Sequence, residues 1–451
     1  MRFDGSTKTI ETASPPDARP LRSAGGLAST FETRLNASGL PPEIAFLSAY
    51  GVVPAQLMAA AERARKQGVP PDRALLASGA LTERFFYQSL AHHLGLAFIE
   101  EPVQLQDRAT DTYPRAIQAG IVRFEGAAGP CWLAAPRGDG LKALLRAVQR
   151  DGIQSSHLAI TTPSHLSRCV REAARRRIGA EASYALLSAD ADLSAHRGSN
   201  LFQKVFASIC ALIFVLSSVI VPLTAANLWV VALGFVFIVT VLFRLFLSAA
   251  ALGVPRRRNE PLEDHQLPNY TIVIALYKEA RIARRLVAML DRIDYPRAKL
   301  DIKFVLEEDD FETRRALESL PLAPIYEIIV APNGQPRTKP RALNIALPLA
   351  EGDLCVVFDA EDAPDPQQLC RAAEHFARSP AQLACLQGRL AIDNARETWL
   401  THGIMAQTPP LRRPIDDRRL LLRFAADKQS DRGYLTDRSR ANGRHRKIIC
   451  R

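Results

Sequence analysis

Acidic side chains follow two apolar segments in the second half of the chain. The run Glu307–Asp310 comes directly after one segment, and the run Asp359–Asp362 contains three acids after another. Carboxylate oxygens hold divalent cations such as Mg²⁺, often with substrate phosphates completing the coordination. A basic loop between the two acidic runs contains Lys339 and can offset the remaining phosphate charge. Together these residue types predict a binding site for a nucleoside diphosphate.

An alternation of strand and helix patterns predicts how these residues are positioned. The predicted strands are Tyr270–Leu276, Asp301–Leu306, Ile325–Val330 and Asp353–Phe358. The predicted helices are Ala280–Arg292, Phe311–Ser319, Arg341–Ala350 and Pro366–Ala377. Such alternation predicts a mostly parallel sheet with helices on both faces. Because ligands bind at the carboxyl ends of parallel strands, the acidic runs and the basic loop are expected on one rim.

Five motifs in this region resemble those of family 2 glycosyltransferases in order and spacing. They read IALYKEA, VLEEDDFET, KPRALNIAL, FDAEDAPDP and LQGRLAIDN. The resemblance covers about residues 268–400 and is greatest to the membrane-bound branch related to cellulose and hyaluronan synthases. It implies a GT-A-like α/β domain that binds a nucleotide sugar, with a UDP-sugar as the expected donor.

The resemblance also implies roles for individual residues. Tyr277 and Glu279 would lie against the nucleoside. Glu307 or Glu308 would hold the uracil, and the sequence leaves the choice between them open. Lys339 would face the diphosphate.

The remaining roles concern the metal and the sugar. Asp359 and Glu361 would form the metal-binding pair for Mg²⁺ or Mn²⁺, with Asp362 adjacent. The family places a second Asp where this chain has Glu361, whose side chain is one methylene longer. Gln387 and Arg389 would line the floor near the donor sugar.

Simpler roles are open for the same side chains. Acids that follow a strand often cap the next helix, which Asp359 or Asp362 could do. Lys339 could be a solvated charge, and Glu308 and Asp310 could be surface residues.

Two long apolar segments separate this region from the rest of the chain. Val205–Thr224 has no charged residue, and Leu228–Phe243 continues to about Ala251 with Arg244 near its end. About 20 helical residues at ~1.5 Å each cross a bilayer core of ~30 Å. A tight turn is expected at Ala225–Asn227, so residues 204–251 are predicted to form a transmembrane hairpin. One buried helical hairpin in a soluble core is the alternative.

Charged residues around the hairpin predict its orientation. Lys204 precedes the first segment and Arg256–Arg258 follow the second, whereas the turn has no charge. Positive residues accumulate on the cytoplasmic side, so both flanking domains are expected in the cytosol beneath a bacterial inner membrane.

An N-terminal α+β domain is predicted over residues 40–185, after a disordered leader at 1–39 and before a linker at 186–203. Its predicted helices are Val53–Gln67, Pro71–Ala77, Thr82–Leu94, Gly140–Arg150 and Pro163–Arg176. Its predicted strands are Ala116–Phe124, Cys131–Ala135 and Leu158–Thr161. The segment LLASGALTERFFYQSLAHHLGLAFIE resembles the N-terminal domain of type II secretion ATPases, which implies cyclic di-GMP or a secretion or polysaccharide-export component as a partner. His92 and His93 have no neighbours at metal-ligand spacing.

The composition changes after Thr401. Residues 401–451 contain 13 Lys and Arg, 5 Asp and no Glu, so this tail carries +8 of the net charge of +11. It is expected to be irregular, and nucleic-acid binding is not expected because no folded motif accompanies the charge. The family's general base, usually an Asp in a TED-like motif, has no counterpart here, so no catalytic residue is assigned. A frameshifted or truncated chain without turnover is the expectation, and a natural basic tail that contacts anionic lipid is the alternative.

The sequence therefore predicts a membrane-bound family 2 glycosyltransferase that uses a nucleotide sugar and a polysaccharide acceptor. Seven single cysteines without a CxxC pair argue against a zinc site or a disulfide framework. The alternative function is a membrane-tethered nucleotide-binding or regulatory module that docks partners through its N-terminal domain.

Overall fold

The computed structural model describes residues 39–106, 112–126, 129–151, 157–189, 191, 198–250, 261–380, 383–387 and 447–450. The leader expected at 1–39 lies almost wholly outside this part of the chain, as do Arg389 and most of the basic tail.

The N-terminal region is a module of helices around a small sheet. Its helices are α1 (Pro42–Ala45), α2 (Pro54–Gln67), α3 (Pro71–Ala77), α4 (Glu83–Leu94), α5 (Arg115–Ala119), α6 (Asp139–Asp151), α7 (Pro163–Ala173) and α8 (Arg175–Ala189). Its strands are β1 (Ala97–Phe98), β2 (Ile121–Gly126), β3 (Gly129–Ala134) and β4 (Leu158–Ile160), in the order β1-β4-β3-β2. The expected N-cap is present, since Thr82 Oγ1 accepts the Phe85 N–H at 3.2 Å.

Several sequence predictions differ from the structure in this module, among them the first strand and the linker. The strand expected from Ala116 begins only at Ile121, because α5 occupies the preceding residues and ends at Gly120 with φ of 68°. A left-handed residue at this position is a common way to end a helix, and glycine adopts it without steric cost. The linker expected at 186–203 is partly helical, because α8 extends to Ala189 and the next helix begins at Leu201.

Two exposed apolar helices follow. They are α9 (Leu201–Ile220) and α10 (Pro222–Ala250). Each contains an apolar stretch that is long enough to cross a membrane and is not buried in the protein. The rings of Phe214 and Trp229 lie 5.3 Å apart across the pair. The turn was predicted at Ala225–Asn227, which is wrong: the break falls at Val221, because Pro222 starts α10 and disfavours helical geometry in the residue before it.

The second globular part is an α/β domain, as predicted. Its strands are β5 (Tyr270–Leu276), β6 (Leu300–Glu307), β7 (Tyr326–Ala331), β8 (Leu354–Phe358), β9 (Cys385–Gln387) and β10 (Lys447–Cys450). Its helices are α11 (Ala283–Leu290), α12 (Phe311–Glu318), α13 (Lys339–Ala346) and α14 (Gln368–Arg378). The strand order is β7-β6-β5-β8-β10-β9 and all pairs are parallel. The predicted fold class, a mostly parallel sheet with flanking helices behind two apolar helices, is confirmed.

One strand of this sheet lies in the tail that was expected to be irregular. Lys447–Cys450 inserts as β10 between β8 and β9 and pairs with both. The consecutive β-branched residues Ile448 and Ile449 favour a strand, and here the strand pairs with a neighbour on each side.

The two faces of the large sheet are covered by different parts of the chain. One face packs against the helices of its own domain in a core that includes Ile272, Phe304 and Leu369. The other face packs against α13 and the N-terminal module, so that Val273 and Ile329 share a buried cluster with Ile345, Val170 and Ile178. The N-terminal module therefore forms a layer of the α/β architecture.

Candidate functional site

The carboxyl edge of the sheet is where the predicted residues meet. From β5 the chain proceeds outward through β6 and β7, and then returns to the other side of β5 as β8. The reversal places a crevice between the ends of β5 and β8, the usual ligand position in such sheets. Tyr277 and Glu279 follow β5, and Asp359 follows β8.

Lys339 and Asp359 form an ion pair at this edge. Lys339 is the first residue of α13, and Asp359 is the first residue after β8. Their side chains are 41% and 34% exposed, so the pair is open to solvent and to a ligand. The structure thus brings together the lysine predicted to face a diphosphate and an acid predicted to hold a cation.

The loop after β8 is held in a tight turn. The Asp359 N–H donates to Asp362 Oδ2 at 2.8 Å, and the Asp362 N–H donates to Asp359 O at 3.1 Å. Asp362 therefore stabilises the turn through one carboxylate oxygen. This is a structural role, similar to the helix capping considered for it above. Glu361 is exposed at the tip of the turn.

The end of β5 is fixed by two residues that were not predicted as site residues. The Lys278 N–H donates to Asp310 Oδ2 at 2.5 Å, and the Glu279 N–H donates to Thr313 Oγ1 at 2.9 Å. Asp310 also caps α12 by accepting the Thr313 N–H at 3.2 Å. Lys278 has a φ of 59°, a rare backbone conformation for a residue with a side chain. An Asp directly before a predicted helix is a preferred N-cap residue, and this signal could have revealed the capping role of Asp310.

These bonds leave Tyr277 at the rim. Its side chain is 44% exposed, and the Lys278 ammonium lies 5.2 Å from the centre of its ring. An exposed aromatic ring beside a cation suits stacking against a nucleobase.

The acids after β6 have partners inside the protein. Glu307 Oε2 lies 3.5 Å from Arg341 Nη1 in an ion pair whose side chains are 10% and 1% exposed. Burial raises the pKa of Glu307 above its usual value, and the charges of Arg341 and Arg337 oppose part of that rise. Glu308 pairs with Arg175 of the N-terminal module and accepts the Asn333 N–H at 3.0 Å.

Metal binding is compatible with the acids at this edge. Among the described residues no group of three or more His, Cys, Asp and Glu is gathered as a metal site. Mg²⁺ is commonly held by one or two carboxylates together with substrate phosphates and water, so Asp359 and Glu361 suffice for a cation that arrives with a diphosphate.

Two predicted residues lie at the limit of the described chain. Gln387 is the last residue of β9, where only its backbone is described, and Arg389 lies outside the described residues. The histidines that were judged unlikely ligands have other contacts: His92 Nδ1 lies 3.0 Å from the Tyr50 hydroxyl, and the His93 ring stacks on Phe46 at 5.4 Å.

The α/β domain is similar in sequence to known proteins. Residues 268–423 match the profile of a family described as "Glycosyltransferase like family 2", and the match continues beyond residue 400, where the sequence-based boundary was placed. Beta-monoglucosyldiacylglycerol synthases of Trichormus variabilis and of a Nostoc species are each 28% identical over 168 residues. The alignments cover 36% of this chain and 35% of each relative, so the chain spans about a third of the length of these relatives.

Two solved structures also overlap with part of the molecule. A mannosyltransferase from Pyrobaculum calidifontis, solved in complex with GDP-Man and Mn²⁺, is 23% identical, covers 36% of this chain and 45% of its own, and has a TM-score of 0.28. The TarS protein of S. aureus, solved with UDP-GlcNAc, is 19% identical, covers 28% of this chain and 36% of its own, and has a TM-score of 0.25. These overlaps are too small to carry a functional argument. The family match and the curated relatives support a glycosyltransferase domain of the family 2 type in the α/β part of this chain.

Proposed function

We propose that the carboxyl edge of the large sheet binds a nucleotide sugar, with a UDP-sugar as donor, for transfer to an acceptor at a membrane. The expectation that this chain does not turn over, because the general base is missing, stays a prediction. The observation that carries this proposal is the ion pair of Lys339 and Asp359, because it gathers a cation and an acid at the crevice between β5 and β8. The family match over residues 268–423 supports sugar transfer as the chemistry.

Each residue at the crevice has a distinct role in this proposal. Tyr277 stacks on the base, Glu279 contacts the nucleoside, and Lys339 turns from Asp359 towards the diphosphate. Asp359 and Glu361 would hold Mg²⁺ or Mn²⁺, and such a cation would supply positive charge to neutralise the diphosphate. Transfer with inversion requires an acceptor hydroxyl to attack the anomeric carbon from the opposite face, while the bond to the nucleoside diphosphate breaks and a general base takes the hydroxyl proton. None of the described residues is assigned as that base.

The two apolar helices bear on where the reaction occurs. We propose that α9 and α10 cross the bacterial inner membrane and that both globular parts lie in the cytosol, where nucleotide sugars are made. An acceptor anchored at the bilayer then lies within reach of the crevice. The names of the curated relatives favour a lipid acceptor over the polysaccharide predicted from the sequence.

The alternative role as a regulatory module has one supporting observation. The N-terminal module contacts Glu308 and Arg341 at the end of the sheet where the donor is proposed to bind. The partners predicted for this module, cyclic di-GMP or a secretion or polysaccharide-export component, stay predictions.

A binding experiment tests the proposed donor site. Titration of the purified protein in lipid nanodiscs with UDP and UDP-sugars, with and without Mg²⁺ or Mn²⁺, should show cation-dependent binding. Asp359→Asn should remove the cation dependence. Glu318→Gln is the matched control, because Glu318 pairs with Arg314 on the exposed surface of the same domain. Cation-independent binding by the wild type, or equal binding by Asp359→Asn, would contradict the proposal.

A further inference from the structure

The contact between the N-terminal module and the α/β domain has a regular apolar spine. Val170, Ala174, Ile178 and Ala182 recur every four residues across α7 and α8 and are all buried. Residues four apart on a helix lie on the same face, and the two alanines allow close approach. This spine shares its buried cluster with residues of β5, β6, β7 and α13.

Polar contacts tie α8 to the residues that lead into the donor crevice. The Asn344 Nδ2 group of α13 donates to Ala182 O at 3.1 Å. Arg341 Nε donates to Ser183 Oγ at 3.1 Å, although the Arg341 side chain is only 1% exposed. A buried guanidinium is costly unless its donors are satisfied, so these bonds fix α13 against α8.

The same arginine shapes the loop between β7 and α13. Arg341 Nη2 donates to Pro332 O at 2.5 Å, and a Cβ built on Gly334 would lie 2.6 Å from that nitrogen. The absence of a side chain at Gly334 therefore lets the loop close over the guanidinium. This loop ends at Thr338, directly before Lys339.

Arg175 reaches the same loop through an acid. The Arg175 guanidinium binds one oxygen of Glu308, and the other oxygen accepts the Asn333 N–H at 3.0 Å. Arg337 adds a brace, with one nitrogen 2.7 Å from Asp309 Oδ2 and another 3.0 Å from Asn333 Oδ1. The loop from Pro332 to Thr338 is thus held by the acids after β6, and Arg175 of the N-terminal module binds one of these acids.

We propose that Arg175 is a positioning residue of the N-terminal module, which orients Glu308 and the Pro332–Thr338 loop so that Lys339 lies at the donor crevice. In this role Glu308 holds the loop, and Glu307 and Arg341 form a second attachment beneath it. A change in the position of α8 therefore changes the position of Lys339, the residue proposed to face the diphosphate. The effect on ligand affinity rests on the donor site proposed above, whereas the effect on the loop does not.

Amide hydrogen exchange tests the positioning without a ligand. Arg175→Ala should raise the exchange rate of amides in the Pro332–Thr338 loop, Asn333 above all, while the amides of β5 and β6 stay protected. Arg177→Ala is the control on the same helix, because Arg177 Nε pairs with Glu181 of α8 itself at 2.7 Å. Unchanged exchange in the loop of Arg175→Ala would overturn the proposal even if the protein binds a nucleotide sugar.

Affinity for UDP with Mg²⁺ gives the functional readout. Arg175→Ala should bind roughly tenfold more weakly, equivalent to ~1.4 kcal/mol, and Arg175→Lys should recover part of this loss because a cation remains. The double variant Arg175→Glu, Glu308→Arg, in which the two charges are swapped, should bind UDP more tightly than either single variant. If the losses of affinity of the two single variants simply add in the double variant, the proposal is overturned. If the wild type binds no nucleotide at all, the proposed function fails and the exchange experiment still decides the positioning role.

Discussion

Lys303 and Glu327 lie side by side on adjacent strands, with Lys303 Nζ 2.8 Å from Glu327 Oε2. The Lys303 side chain is only 3% exposed and is also 3.0 Å from Asp301 Oδ1. From the N-terminal module, Ser167 Oγ donates to Glu327 at 2.8 Å and Arg171 approaches within 3.4 Å. The pair therefore belongs to a charged network that joins the sheet to the N-terminal module.

Glu327→Gln should lower the free energy of unfolding by about 2 kcal/mol at neutral pH, because hydrogen bonds to charged groups each contribute roughly 1.5–3 kcal/mol. Chemical denaturation followed by fluorescence measures this loss. Glu318→Gln removes an exposed ion pair on the same domain and should change stability little. Equal losses for the two variants would contradict the structural importance of the Lys303–Glu327 pair.

The same pair predicts how stability depends on pH. Burial acts to raise the pKa of Glu327, but attraction to Lys303 and Arg171 outweighs it and holds the pKa below its usual range. A depressed folded-state pKa stabilises the protein above the unfolded value of about 4.3, and this contribution is lost as the pH falls further. The difference in stability between wild type and Glu327→Gln should therefore be largest at neutral pH and shrink below about pH 4. A difference that grows on acidification would contradict the sign of the shift.

Lys339→Ala should weaken UDP binding more than uridine binding, because the lysine is proposed to face the diphosphate. We expect a loss of roughly tenfold for UDP, or ~1.4 kcal/mol, with little change for uridine. Stability should change little, since the Lys339–Asp359 pair is partly exposed. Calorimetric titration with both ligands measures the contrast, and Arg314→Ala, which removes an exposed cation of α12, is the control. Equal losses for UDP and uridine would place Lys339 away from the phosphates.

The local elements of the α/β domain could be predicted well because their signals lie in adjacent residues. The bounds of β5 match the prediction, and β6 extends one residue beyond it at each end. The acids were expected at a common rim because parallel strands end together, and β5, β6 and β8 are indeed neighbours.

Contacts between distant segments were not accessible to the same reasoning. Glu308 was predicted to hold a base or to lie on the surface, whereas it pairs with Arg175, 133 residues earlier in the chain. Neither periodicity nor spacing encodes such a pairing, since it depends on how α8 packs against α13. The position of β10 was missed for a similar reason, because its strand partners β8 and β9 precede it by many residues.

Gly352→Ala should destabilise the junction of β5 and β8. A Cβ at Gly352 would lie 2.3 Å from the Thr271 backbone nitrogen and 2.7 Å from Leu354 O, neither of which can move without disturbing the sheet. Overpacking of this kind costs about 1–3 kcal/mol. Gly140→Ala is the control, because a Cβ there meets nothing within 4 Å and alanine favours the helix α6. Thermal unfolding should show a lower midpoint for the first variant and an equal or higher midpoint for the second.

Single-cysteine labelling tests the proposed arrangement of the two apolar helices. If α9 and α10 cross the membrane with both globular parts in the cytosol, Val221 at the break between the two helices lies at the outer surface. In a cysteine-free background, Val221→Cys should then react with a membrane-impermeant maleimide in intact cells. Glu263→Cys, at a position where the native side chain is 78% exposed, should react only after the cells are permeabilised. Positive charges at Lys204 and Arg256–Arg258 favour this orientation. Labelling of Glu263→Cys alone in intact cells would reverse the orientation, and labelling of both sites only after permeabilisation would show that the hairpin does not span the membrane.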